Sequence, residues 1–321
     1  MIKVSNLTKD YGSRRAISDL SFSIEKGEIV GFLGPNGAGK TTTMRILSGF
    51  MPPTSGKVEI GGYDIFDDSL KARQIIGYLP ETVPLYTDMS IFDYLKFMAD
   101  LRKVKNVEDR VDEILEMVHL DDRADSLISR LSKGMKQRVG IAQALIHKPE
   151  VLILDEPTIG LDPTQIIDVR NLIKDIGKEH TVLLSTHILS EAQHVCDRVL
   201  IINKGQIVAE DTTDHLQSRL TGSKRVIVSV NGDIEKAIPV IANTPGVISV
   251  QKKSEQSAEF ETSHNEDPRA KVAKNVINGG FDLLELYSAN MSLEEIFLQL
   301  IQDNSTEENQ ENTVNNSNSE G

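Results

Sequence analysis

The stretch EIVGFLGPNGAGKTTTMRIL, Glu28 to Leu47, constrains this chain more than any other. A run of apolar residues meets a glycine-rich turn, and the turn opens directly into a helical pattern. A buried strand followed by a helix in this way belongs to an α/β sheet. Gly34 to Thr41, GPNGAGKT, also satisfies the spacing G-x-x-x-x-G-K-[ST]. Its glycines let backbone N–H groups turn inward around a phosphate, and the helix N-terminus adds a positive dipole. Lys40 is placed to reach the β- and γ-phosphates of a nucleotide, and the Thr41 hydroxyl to ligate Mg²⁺. Gly34, Pro35, Asn36, Gly37, Ala38, Gly39, Lys40, Thr41 and Thr42 are the expected phosphate-binding residues.

Two further apolar runs, EVLILDEP and TVLLSTH, have the length and continuity of buried parallel strands. The first ends in Asp155 and Glu156. At a strand end facing phosphates, Asp155 is expected to hold Mg²⁺ through water, and Glu156 to take a proton from an attacking water. Another feature, LSKGMKQRVG (Leu131 to Gly140), lies far from the glycine loop. Ser132 sits where a helix N-cap belongs, and Gly134 allows close backbone approach. Helix N-termini bind anions, so the chain carries two apparent phosphate contacts widely separated in sequence.

Composition narrows the function classes. The net charge of −13 over 321 residues argues against a nucleic-acid partner, which usually requires a basic surface. Cys196 is the sole cysteine, so no intrachain disulfide forms, as in a reducing compartment. No apolar run approaches the ~18 residues of a membrane span, and MIKVSNLTKDYG has no signal core. By itself the chain is expected to be cytoplasmic.

Together, Gly34 to Thr42, Leu131 to Gln137 and Val151 to Glu156 resemble the nucleotide-binding subunit of an ATP-binding cassette (ABC) transporter. The resemblance implies an α/β P-loop NTPase of ABC type with an antiparallel β subdomain and a helical subdomain. It also accounts for the two phosphate contacts. In the family two subunits meet head to tail, and the LSGGQ signature of one touches the γ-phosphate held by the other's glycine loop. LSKGM stands in that signature's place: Ser132 and Gly134 are kept, while Lys133 and Met135 replace a glycine and the glutamine. Lys133 either adds positive charge near the phosphate or is simply solvated.

The same resemblance extends to other segments. In IGLDP, Asp162 matches the family's loop linking the two sites across the dimer. His187 matches the histidine that contacts the γ-phosphate and orients water. Tyr11 matches the aromatic residue that stacks on adenine. In IGYLPETVPLY, Glu81 stands where the family usually has a Mg²⁺-coordinating glutamine, and it is expected to reach the metal. Export-type ATPases, including those grouped with gliding-motility transporters, are similar in this respect and in the ending SLEEIF.

Three regions are expected. Residues 1–219 form the ATP-binding domain, with a helical insertion over about 82–145. Residues 220–302 alternate strand and helix patterns in the order of a split βαβ, ferredoxin-like unit, a small α+β domain. Residues 303–321, rich in Asn, Ser and Glu, read as a disordered acidic tail. The implied activity is ATP hydrolysis with Mg²⁺ by a homodimer or pseudo-symmetric heterodimer. It would drive a separate transmembrane permease subunit, in export, from the inner face of the cell membrane. The alternative is a soluble ATPase of the same type acting on a macromolecular partner, against which the net charge counts.

Overall fold

The computed structural model describes residues 1–212, 224–262 and 267–289. Two compact units divide them, 1–212 and 224–289. Most of the expected boundary, residues 216–224, the closing helix that MSLEEIFLQLIQ predicts over 291–302 and the acidic tail over 303–321 lie outside the described residues.

The first unit opens with β1 (Ile2–Tyr11), β2 (Arg14–Ile24), β3 (Ile29–Leu33) and α1 (Lys40–Leu47). There follow β4 (Ser55–Ile60), β5 (Tyr63–Asp64), α2 (Ser69–Gln74) and β6 (Ile76–Leu79). Three helices come next, α3 (Ile91–Leu101), α4 (Val107–Met117) and α5 (Lys133–Leu145). The unit continues through β7 (Val151–Asp155), α6 (Pro163–Gly177), β8 (Thr181–Thr186), α7 (Leu189–Val195), β9 (Arg198–Asn203) and β10 (Gln206–Thr212).

These strands make two sheets. One is antiparallel in the order β2-β1-β4-β5; the other runs β10-β9-β3-β8-β7-β6, parallel except for the β10–β9 pair. Every residue of β3, β7 and β8 is buried, as continuous apolar runs demand of strands covered on both faces. The sheets share one core. Ile2, Val4, Phe22 and Ile24 come from the antiparallel side, and Phe32, Ile153, Leu183 and Leu200 from the parallel side. Met44, Ile46 and Leu47 of α1 are fully buried in the same cluster. Burying each contributes ~1.5–3 kcal/mol, so Leu47→Ala, which also leaves a cavity, costs roughly 2–5 kcal/mol.

This core fixes the site. Leu33 pairs with Thr186, and Asp155 with Ser185. The chain therefore leaves β3, β7 and β8 at one edge, the carboxyl end where ligands bind in open α/β sheets. The helical insertion, α3 to α5, is tied together at α5, and His147, just past the end of α5, meets the Ile76 carbonyl of β6 at 2.9 Å. Tyr94, fully buried, donates to Gln143 Oε1 at 2.5 Å. The buried Arg110 donates to the carbonyls of Leu145 and Ile146 at 2.7 and 3.0 Å, satisfying the end of α5.

The second unit carries β11 (Lys224–Asn231), β12 (Val247–Lys252), β13 (Ser257–Thr262) and β14 (Asp282–Ala289), with one helix over Ile234–Ala242 and another over Arg269–Asn278. The sheet is antiparallel in the order β12-β13-β11-β14, so two βαβ crossovers interleave. Ile234, Ala237, Ile241, Val272 and Val276 of the helices cover Val226, Val228, Val230 and Phe260 of the sheet. Asp233 caps the first helix by accepting from the Glu235 N–H at 3.0 Å.

Candidate active site

The glycine loop is shaped by close approaches. Gly37 and Gly39 have φ of 82° and 110°, which side-chain-bearing residues rarely adopt. A Cβ on Gly39 would also stand 2.7 Å from the Ala16 carbonyl. Gly39 caps α1 without any side-chain hydrogen bond, which leaves the first-turn N–H groups pointing into the cleft. That cleft, of about 630 Å³, is lined by ten of the expected residues: Tyr11, Asn36, Gly37, Gly39, Lys40, Thr41, Thr42, Glu81, Glu156 and His187. Gly34, Pro35 and Ala38 belong to the loop's backbone but not to the lining.

Lys40 is 6% exposed. Its ammonium donates to the Gly34 and Pro35 carbonyls at 2.7 and 3.3 Å and lies 3.3 Å from Glu156 Oε1. Glu156 Oε2 meets His187 Nδ1 at 2.9 Å. A lysine, a glutamate and a histidine thus form one chain of contacts across the cleft floor. Glu156 has φ 49°, an uncommon backbone for a non-glycine residue. Its N–H donates to Ser185 Oγ at 3.0 Å, which holds the turn.

Asp155, wholly buried, accepts from Ser185 Oγ at 2.6 Å and from Thr41 Oγ1 at 3.3 Å, both on Oδ1. Burial pushes its carboxyl up; the Ser185 and Thr41 hydroxyls oppose this, and the Glu81 and Glu156 carboxylates add to it. Oδ2 is buried with no hydrogen-bond partner among the described residues. An orphaned carboxylate oxygen beside a threonine hydroxyl fits a divalent cation, whose charge would relieve the upward shift. No group of three His, Cys, Asp or Glu side chains gathers into a cage among the described residues.

Tyr11 is 45% exposed at the cleft mouth, its hydroxyl 3.1 Å from Met51 Sδ and its ring 5.4 Å from the Lys9 ammonium. Ser132, Gly134 and Asp162 do not line this cleft. Ser132 caps α5 by accepting from the Met135 N–H at 3.2 Å. Asp162 caps α6 by accepting from Gln165 N–H at 2.9 Å. Gly134 is where α6 comes close: a Cβ there would stand 2.7 Å from Gln165 Cδ. The Lys133 ammonium rests against Gly160.

Four participants escaped the sequence reading. Arg14, Ala16 and Ile159 line the cleft, and Ser185 holds both Asp155 and the Glu156 backbone. The hydroxyls in LLSTH were the available signal for Ser185, since a buried hydroxyl requires a partner. Of the other histidines, His147 is half-buried with Nε2 2.9 Å from the Ile76 carbonyl, and His194 bonds its own helix at Ser190. Cys196 is buried near Gly31, and burial pushes its thiol up, as expected of a packing residue.

The family model described as ABC transporter matches residues 17–159. The bacitracin transport ATP-binding protein BcrA of Bacillus licheniformis is 36% identical over 303 residues, 94% of this chain and 97% of its own length. The linearmycin resistance ATP-binding protein LnrL of Bacillus subtilis is 35% identical over 304 residues, 94% of this chain and 98% of its own. A dimeric structure of a post-hydrolysis state of the ATP-binding cassette MJ0796, bound to ADP and Pi, is similar at TM-score 0.61 and 26% identity. It covers 66% of this chain and 99% of that one. The chain belongs to the ABC transporter family, as an ATP-binding, ATP-hydrolysing subunit that acts with a separate transmembrane partner.

Proposed function

We propose that Glu156 is the general base of hydrolysis and His187 its partner. The observation that carries this is the contact chain from Lys40 through Glu156 to His187 at the carboxyl end of the sheet, with Lys40 and Glu156 buried and His187 open to the cleft. Lys40 would neutralise the β- and γ-phosphates, leaving its present contacts with Gly34, Pro35 and Glu156 to do so. Released from Lys40, the Glu156 carboxylate would accept a proton from the attacking water, with His187 fixing its orientation. Tyr11 would stack on the adenine. Thr41 and Asp155 would hold Mg²⁺, with Glu81 in the place usual for glutamine, and the ion would neutralise charge on the phosphates. Positioning and charge stabilisation are most of what phosphoryl transfer needs.

Two subunits would close around two nucleotides, each offering Ser132, Gly134 and Asp162 to the other's site, and hydrolysis would reopen them. This accounts for signature residues that stand outside their own chain's cleft. The cycle would drive a membrane permease from the inner face of the cell membrane; no helix among the described residues is long and apolar enough to cross a membrane. We assign the direction as export, since a relative named for resistance implies removal of a compound from the cell.

Glu156→Gln keeps size and hydrogen bonding but cannot accept the proton. It should bind ATP with near-normal affinity and hydrolyse it ~10²–10⁴-fold more slowly. Normal turnover would remove Glu156 from the role of base. The same variant, tagged and purified with ATP from detergent-solubilised membranes, should retain a stoichiometric polytopic protein. Recovery only with soluble macromolecules would move the function to a soluble ATPase.

A further inference from the structure

Behind the cleft lies a carboxylate with no part in the scheme above. Glu191, on α7, is 5% exposed. Its Oε2 accepts from Thr158 Oγ1 at 2.6 Å and from Thr186 Oγ1 at 3.0 Å. Both threonines are buried. Thr186 Oγ1 also accepts from the Ile188 N–H at 3.0 Å, so one hydroxyl pins the backbone on both sides of His187. Thr158 follows Glu156 by two positions. A single oxygen therefore ties the segment bearing Glu156 to the segment bearing His187, and those side chains meet at 2.9 Å.

The second oxygen faces a third element. Glu191 Oε1 lies 3.8 Å from Arg170 Nη2 on α6, the helix that Asp162 caps. Neither that oxygen nor Arg170 Nε has a hydrogen-bond partner among the described residues. Shortening the gap by about 1 Å would reach the usual length of a charge-assisted hydrogen bond. A charge buried this deeply is tolerated only with such partners.

We propose that Glu191 is a positioning residue for hydrolysis: it sets the separation of Glu156 and His187 and links both to α6 through Arg170. It touches neither nucleotide nor water and acts through the two residues it aligns. The proposal rests on Glu156 and His187 acting as assigned above. Misplacing a catalytic group by about 1 Å can cost ~100-fold, so the brace should matter to turnover rather than to binding.

The test is steady-state hydrolysis, ATP affinity and thermal stability for Glu191→Ala, Glu191→Gln, Thr186→Val and the double variant Glu191→Ala/His187→Ala. Glu191→Ala should lower kcat by roughly 10- to 100-fold with the ATP Kd little changed. Glu191→Gln keeps an oxygen that accepts from both threonines and should recover most of the rate. Added to His187→Ala, Glu191→Ala should lower kcat by less than about threefold, because both changes remove one arrangement. Thr186→Val, nearly isosteric, carries the same test should Glu191→Ala fail to fold. A normal kcat well below a lowered Tm, or full additivity with His187→Ala, would reduce Glu191 to a structural role. An active Glu156→Gln would overturn the base assignment and this proposal together. An inactive Glu156→Gln beside a fully active Glu191→Ala would overturn the positioning role alone.

Discussion

Three helix N-termini carry expected nucleotide contacts, and they are built in two ways. α1 starts at Gly39, in a left-handed conformation, with no side chain covering its first turn. α5 and α6 start at Ser132 and Asp162, whose side chains bond their own N–H groups at Met135 and Gln165. The first terminus is backed by buried charge, with Lys40, Asp155 and Glu156 all within reach. The other two are exposed and locally satisfied; Asp162 is even held below the usual carboxylate range by the Gln165 amide and the Thr164 hydroxyl. One arrangement leaves donors for a ligand in the same chain. The other presents a finished, stable edge, suited to a ligand that arrives already bound elsewhere.

Lys40→Ala breaks the first arrangement most severely. It removes the charge that spans the loop carbonyls and Glu156. A charged hydrogen bond contributes about 1.5–3 kcal/mol. Loss of such bonds to the β- and γ-phosphates should lower ATP affinity by roughly 100-fold by fluorescent-nucleotide titration. Affinity preserved within a few fold would show that α1's uncovered N–H groups suffice without the cation.

Tyr11→Ala tests the rim of the same cleft. Stacking on a base contributes ~1–3 kcal/mol and tolerates base identity. ATP and GTP affinities should therefore fall by a similar factor, on the order of 10-fold, when titrated in parallel. A loss confined to ATP would mean that Tyr11 reads the base rather than supports it.

The two arrangements were unequally legible in sequence. GPNGAGKT and LILDEP disclose the first because loop, strand and acid are local and their order dictates where they meet. Ser132 as an N-cap was legible for the same reason. What escaped depends on pairings between distant segments. β6 lies beside β7, although more than seventy positions separate Ile76 from its partner Val151, and IGYL is too short and mixed to read as a strand. Ser185 and Arg14 reach the site only because β8 and the β1–β2 turn converge there. At Gly134 the sequence predicts a close approach without naming its partner, and within the chain that partner is Gln165 of α6.

Helix α5 contains the contrast within itself, its N-terminus exposed and its far end locked by Arg110 and His147. Burial lowers the pKa of His147 from 6.5 to about 4, with Arg102 and Arg110 adding to the effect. A histidine lowered on folding binds its proton more readily in the unfolded chain. Stability is therefore fully present above pH 6.5 and falls as the pH drops from 6.5 toward 4. With allowance for partial solvent access, the loss should be about 1–2 kcal/mol, and His147→Gln should flatten it in urea titrations across that range. An unchanged slope would mean that the locked end does not depend on a neutral ring.

The smallest effect separates capping from ligand contact at the exposed end. Ser132→Ala removes the cap and should destabilise the isolated subunit by roughly 1 kcal/mol, whereas Ser132→Gly costs only a few tenths. Neither should alter ATP affinity measured on dilute single subunits, because Ser132 is absent from its own chain's cleft. Both remove the hydroxyl, which can donate to a phosphate while accepting from Met135. If that donation operates across a dimer, hydrolysis at high subunit concentration should fall equally in both variants despite their unequal stabilities. If instead turnover tracks stability, with Ser132→Gly nearly normal, the residue is a cap alone. The contrast between the three termini would then be one of local satisfaction, without a ligand shared between chains.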